Sequence, residues 1–532
     1  MIRTYDALYV FGYRVGDFSF DVLPVPELTK KNTCFSYNRV DVSRRVVGRS
    51  LGWHVEGFAP LIPDYKDLDT QRYGAIKRFA KSVPQIDSSL LREFRSFVRS
   101  WLNRNLVPIP HDEDLSFDTW IELTNYPRWR KDQLCLARVD VLSPRDFNCR
   151  SFIKRESYFI PKHARWINSR TDAFKAYSGP YFAAIEKRLF NLDCFIKHVC
   201  VSDRSKFVYD KLFEVGAKYL ETDHTAFEAH FVPKFVMACE MQLYSYMLAF
   251  VPNSYEVIGN IKEALTMVQK CSTSMMVTKT CARMSGDMCT SLGNGFSNLM
   301  LMSFAAHKYG WSELCGVVEG DDGLFKIDGE IPDSSFFERL GFEIKMEIHD
   351  SINEAGFCSL YFSDDSFDNI INPLECLLRS GWTMSCQLHG GHGLMDVLSR
   401  TKAMSILCES PTTPIVCKMA LWILRSTSHI SRIEIDNDPN RWWLNQLDFS
   451  NLDLSIAKAK IGPTMGQRLF VELKYGISVG VQFEIEHYFD KLVGIQPIRC
   501  PNLISLLVNE YPWWAWSWDF LTHTAYRGDR WR

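Results

Sequence analysis

The run Val317-Val318-Glu319-Gly320-Asp321-Asp322-Gly323-Leu324-Phe325 constrains this chain more than any other segment. Apolar residues flank a Gly-Asp-Asp centre, which predicts strand, tight turn, strand. Gly and Asp accept the backbone angles that a hairpin turn demands. The Val and Leu/Phe neighbours bury the strands and hold the turn still. Two carboxylates on a rigid turn suit hard divalent cations, which prefer oxygen ligands. Phosphoryl transfer by two metals uses such a site. The tripeptide alone is weak evidence, since average residue usage yields one by chance in roughly one of ten chains of this length. The plain alternative is an exposed turn capped by Asp, so the surrounding motifs must decide.

The sequence has 532 residues, 46% hydrophobic and 14% aromatic. That supports a large core divided into about two to four subdomains. A formal net charge of -2 means that global charge names no nucleic-acid partner. Any such binding must come from local basic tracts. The 16 Cys contain no CxxC pair, and the start (Met1-Ile2-Arg3-Thr4-Tyr5-Asp6) lacks a long apolar run. Free thiols in a reducing compartment are expected. No run of about 18 apolar residues exists, so no transmembrane helix is expected. Cys194, His198 and Cys200 lie close in sequence, but no fourth zinc ligand is evident and buried thiols are common.

No internal repeat or low-complexity linker interrupts the chain, which predicts one interlocked unit. Phe79, Val83, Leu90, Leu91, Phe94, Phe97, Val98 and Leu102 recur at near-helical spacing and predict helix over 70–106. Residues 145–190 are basic, and from about 375 the pattern turns mostly helical. Near the end, Trp514, Trp516 and Trp518 alternate, which predicts one face of a strand.

Ala217 to Asp223 predicts a strand ending in a carboxylate, and His224 opens a helix with Thr225 as a candidate cap. Asp223 can therefore either cap that helix or bring a third carboxylate to the hairpin tip. Between the acids, Ser285-Gly286-Asp287-Met288-Cys289-Thr290-Ser291-Leu292-Gly293-Asn294-Gly295 forms a loop of small residues before a long apolar helix. Gly permits close backbone approach. Thr290 and Asn294, four apart, share a helix face. Such groups read a ribose hydroxyl or cap a helix.

In their order and spacing these segments resemble motifs A (Asp223, Phe227), B (Ser285, Gly286, Thr290, Asn294) and C (Gly320, Asp321, Asp322) of viral RNA-dependent RNA polymerases of positive-strand RNA viruses. The tombusvirus-like group is the most similar, over roughly residues 118–362. The resemblance extends to motif D at Leu340 to Glu347, where Phe342, Ile344 and Met346 alternate with Glu343, Lys345 and Glu347. It extends to motif E at Gly356-Phe357-Cys358-Ser359, and to motif F at 152–156 and 161–170. Glu228 departs from the group, where an Asp is usual, and its extra methylene changes the geometry of ribose recognition.

The resemblance implies an α+β right-hand polymerase, with fingers, palm and thumb and an antiparallel palm sheet backed by helices. It implies an N-terminal extension and fingers over 1–214, palm over 215–240 and 281–372, a fingers insertion over 241–280, and thumb over 373–532. It implies RNA-directed RNA synthesis from NTPs by two-metal nucleotidyl transfer. Asp223, Asp321 and Asp322 would hold two Mg²⁺ ions, with Mn²⁺ as a substitute, and Lys345 would protonate the leaving pyrophosphate. Glu228, Ser285, Gly286, Thr290 and Asn294 would face the ribose. Lys162, Arg165 and Arg170 would face the triphosphate. Arg130, Lys131, Lys154 and Arg155 would touch RNA phosphates. The expected partners are template and product RNA, NTPs and other viral replication proteins. The expected location is host cytoplasm at membrane-associated replication complexes, with only indirect or peripheral membrane contact. The Trp cluster would then be core, a stacking platform for the initiating nucleotide, or a membrane-interface contact. The rival readings are a reverse transcriptase sharing the palm and an RNA-binding scaffold that has lost its chemistry.

Overall fold

A computed structural model of the chain describes residues 8–18, 33–37, 45–224, 226–280, 283–363, 366–384, 387–430 and 461–526, with backbone alone at 33–37 and 521–526. The described strands are β1 (Tyr9–Phe11), β2 (Thr33–Tyr37), β3 (Val46–Ser50), β4 (Cys149–Ile153), β5 (Trp166–Arg170), β6 (Tyr219–His224), β7 (Val268–Ser272), β8 (Met275–Thr280), β9 (Cys315–Glu319), β10 (Asp322–Lys326), β11 (Ile344–His349) and β12 (Trp382–Thr383). They form three sheets, ordered β1-β3-β12, β11-β6-β10-β9 and β2-β8-β7-β4-β5. With many helices between and around them, the fold is mixed and compatible with the α+β class.

The four-stranded sheet is antiparallel throughout. Strand alternation gives it two apolar faces. Leu220, Val318 and Phe325 point into the largest core, shared with the long helix Thr290–Lys308. Tyr219, Val317 and Leu324 point the other way, into a smaller core with Val208, Leu212, Phe357 and Phe362. The second core covers only part of its face. β9 and β10 join through Gly320 and Asp321, with Glu319 paired to Asp322. Gly320 takes φ +63, a left-handed value that a side chain disfavours.

The helix expected over 70–106 is instead two pieces. Leu68–Ala75 runs on into a single π turn at Ile76–Ala80, and Ser88–Asn105 follows after an interruption. Pro84 biases its predecessor away from helix. Asp87 then caps the second helix by accepting from the amides of Ser89 and Leu90. In that helix Leu90, Phe94, Val98 and Leu102 recur every four residues and are buried.

The five-stranded sheet is antiparallel except for the parallel β4–β7 pair. The three-stranded sheet ties the N-terminal strands to the C-terminal helices. Val10, Trp53, Trp382, Trp422 and Trp514 share one core. The Ala59 amide donates to the Trp514 carbonyl at 3.0 Å, and Val55 bridges Ile498.

The C-terminal tryptophans do not lie on a strand, for Pro512–Tyr526 is helical. Proline suits a first helical position because its fixed φ is already helical. On a helix Trp514 and Trp518 fall four apart, while Trp513, Trp516 and Phe520 fall on a neighbouring stripe. Trp514 is fully buried, and its Nε1 donates to the Tyr158 carbonyl at 2.9 Å. Trp513 and Trp516 pack against Phe18, and Trp518 packs on His54.

The cysteines whose side chains are described are free thiols. Among the described residues no helix is long and apolar enough to cross a membrane.

Candidate active site

Register brings the predicted acids together. Gly323 of β10 pairs with Thr222 of β6, so the next step sets Asp322 across from Asp223. On the other side of β6, Lys345 of β11 pairs directly with Asp223. Directly opposed residues in an antiparallel pair share a face. Asp223, Asp322 and Lys345 therefore stand on one face of the sheet, at the end the smaller core leaves open. Asp223, Asp321 and Lys345 are exposed there, and Asp322 is half-buried.

Electrostatics shows how crowded this end is. Asp321 sits at the tip, yet surrounding protein strips water from its carboxyl. That burial, with the charges of Asp322, Glu228 and Asp223, lifts it to about 6. Burial likewise raises Asp322, together with Asp223, Glu221 and Glu319 and against a hydrogen bond from the Cys358 thiol. Among the described residues no three His, Cys, Asp or Glu side chains converge closely enough to hold a metal ion. The donor set still suits a hard cation. All its groups are carboxylates, and their mutual repulsion is what a bound cation relieves. Lys345 is held in its charged form by a 2.7 Å ion pair with Glu347, and by Asp223 and Glu221.

The predicted helix after Asp223 is shorter than expected. β6 keeps its pairing through His224, and a single 3₁₀ turn, Phe227–His230, carries Glu228. Thr225 lies outside the described residues. Ser285 Oγ donates to Glu228 Oε1 at 2.5 Å, and Arg78 forms an ion pair with the other oxygen. Burial lifts the Glu228 carboxyl, but Arg78 and Ser285 outweigh it and hold the group below its usual range.

Gly286 has φ +105, and a Cβ there would meet Ile167 Cγ2 at 2.9 Å, so the loop needs glycine to approach β5. The Asn168 amide donates to the Ser285 carbonyl at 2.6 Å across that contact. Thr290 Oγ1 accepts from the Gly286 amide at 3.2 Å and lies 3.0 Å from the Asp287 carbonyl, closing the loop on itself. Asn294 is buried, and its Oδ1 has no partner among the described residues.

The predicted cations fare differently. Arg170 is a correction: its guanidinium is fully buried, donating to Asp287 Oδ2 at 2.7 Å and to the carbonyls of Ala264 and Phe147. It braces the Ser285–Asn294 loop from beneath and does not face a triphosphate. Arg165 is gripped by Glu156, which also pairs with Lys154 at 3.3 Å. Arg155 lies over the Tyr65 ring at 4.7 Å. Arg130 makes a bidentate pair with Asp172, and Lys131 donates to the Glu122 carbonyl. Lys162 is exposed and makes no ion pair among the described residues.

Sequence reasoning missed Arg78, for which no local signal exists, and Asn298. Asn298 was findable, since it lies one helical turn beyond Asn294 on the same face. No model of a known protein family matches the chain, and no curated protein matches it either.

Proposed function

We propose that this chain is an RNA-dependent RNA polymerase of right-hand architecture, copying a viral RNA genome from NTPs. One observation carries the reading. Asp223 and the Asp321–Asp322 turn, about a hundred residues apart, share the open end of one antiparallel sheet, with Lys345 beside them. Their order in the sequence, with the Ser285–Asn294 loop between, supports it further.

In this reading Asp223, Asp321 and Asp322 hold Mg²⁺ or Mn²⁺, which when bound supplies charge neutralisation at the transferring phosphoryl group. The chain's own groups orient the reactants. Glu228 and Ser285, already hydrogen-bonded to one another, present acceptor and hydroxyl to a ribose. Lys162 offers an uncommitted charge for phosphate, and Lys345 stands positioned to give a proton to the leaving pyrophosphate. RNA is gripped through phosphates, so binding weakens as salt rises. Other viral replication proteins at cytoplasmic membranes are the natural partners.

The test is primed and unprimed extension on an RNA template by the full chain, with and without divalent metal. Metal-dependent incorporation of ribonucleotides supports the proposal. Preference for deoxynucleotides would transfer it to a reverse transcriptase, and absence of any extension would leave a non-catalytic scaffold.

A further inference from the structure

Asn298 lies in the middle of the helix Thr290–Lys308 and is completely buried. Its Nδ2 donates to two carbonyls of the hairpin turn, Gly320 at 3.3 Å and Asp322 at 3.1 Å. Its Oδ1 faces His224 Nε2 at 3.4 Å. An amide nitrogen can only donate, so the two carbonyls fix the orientation of the whole group. The oxygen must then accept from His224, which places the imidazole proton on Nε2. His224 is buried, and its ring serves here as a donor to Asn298.

The three residues that Asn298 grips all border Asp223 or Asp321. His224 follows Asp223 on β6, and Gly320 and Asp322 flank Asp321. A single buried amide therefore spans the helix, the strand and the turn that carry the acids, on the face of the sheet opposite the open one. Packing alone does not call for an amide here. One turn further on, Leu301 and Met302 are apolar and buried.

We propose that Asn298 is a positioning residue that fixes the spacing between Asp223 and the Asp321–Asp322 turn, and thereby the geometry in which these carboxylates receive a divalent cation. The chemical consequence rests on the polymerase reading, while the mechanical one does not.

Two variants of the full chain test it. Asn298→Ala removes the amide without adding bulk and loses all three hydrogen bonds. Asn298→Asp keeps the shape and sets a carboxylate oxygen against two carbonyls. Hydrogen exchange should quicken about tenfold or more at residues 319–324 while the helix Ser88–Asn105 is unchanged, because only the local opening becomes easier. Mn²⁺ affinity, read by electron paramagnetic resonance, should fall severalfold. In extension assays kcat should drop about 100-fold with NTP KM within about threefold, the signature of misplaced rather than missing groups. The Mg²⁺ concentration for half-maximal rate should rise.

Unchanged exchange at 319–324, exchange that quickens uniformly over the chain, or an unaltered metal dependence would each overturn the proposal. If the wild-type chain extends no RNA, the polymerase reading fails by itself. Exchange and Mn²⁺ binding then still decide whether Asn298 sets the turn.

Discussion

The carboxylates of the central sheet and the cations of the basic tract at 145–190 look equally suggestive in the sequence, yet the fold treats them in opposite ways. Asp223, Asp321 and Asp322 sit on short stems whose positions follow directly from strand register, and they crowd together despite mutual repulsion. Arg165, Arg170 and Lys154 reach out on long stems and are claimed by Glu156 and Asp287. Groups held together against their own electrostatics are candidates for function. Groups whose charges are already answered are candidates for structure.

The contrast is sharpest in activity. Replacing either Asp223 or Asp321 by Asn should lower template-directed incorporation by about 10³-fold or more while circular dichroism and unfolding stay native, as expected for groups acting only on the reacting charge. A variant with near-normal incorporation breaks the comparison at its functional end. The structural end is tested by Arg170→Met, which leaves Asp287 charged and buried without its partner. It should cost about 3–5 kcal/mol in urea unfolding. Loss of activity without loss of stability would restore Arg170 to substrate binding.

Acid sensitivity should arise away from both regions. His54, buried between Trp382 and Trp518, is lowered by burial from 6.5 to about 4. The unfolded chain therefore takes up this proton first as pH falls. Stability should drop between about pH 6.5 and 4 by roughly 3 kcal/mol, and His54→Phe should flatten that slope in thermal unfolding followed against pH. The smallest effects separate the cations themselves. Lys162→Ala should raise the KM for NTPs by about tenfold at unchanged stability, and Arg165→Gln by much less, as a charge already paired contributes little. Equal effects would erase the distinction.

What the sequence discloses divides along the same line. The hairpin at 315–326 and the strand ending near Asp223 are legible because alternation and a turn glycine are local signals, and β-register then carries the acids into place. The strand Ile344–His349 was legible for the same reason: Lys345 and Glu347 alternate with Ile344 and Met346. The partners of the arginines were not, because Arg170 meets Asp287 from 117 residues away and no local pattern encodes that. The tryptophans misled because a spacing of two occurs on strands and also arises when two helical stripes interleave. Pro512 was the signal that should have outweighed the alternation.

The hydrogen bond from Ala59 to Trp514 has a consequence for synthesis. A ribosome making about 5–20 residues per second finishes the helix at 512–526 some tens of seconds after the segment around Ala59 has emerged. Until then Trp53, Val55 and Phe58 wait for Trp514 to join their core, and the nascent chain carries an open apolar seam.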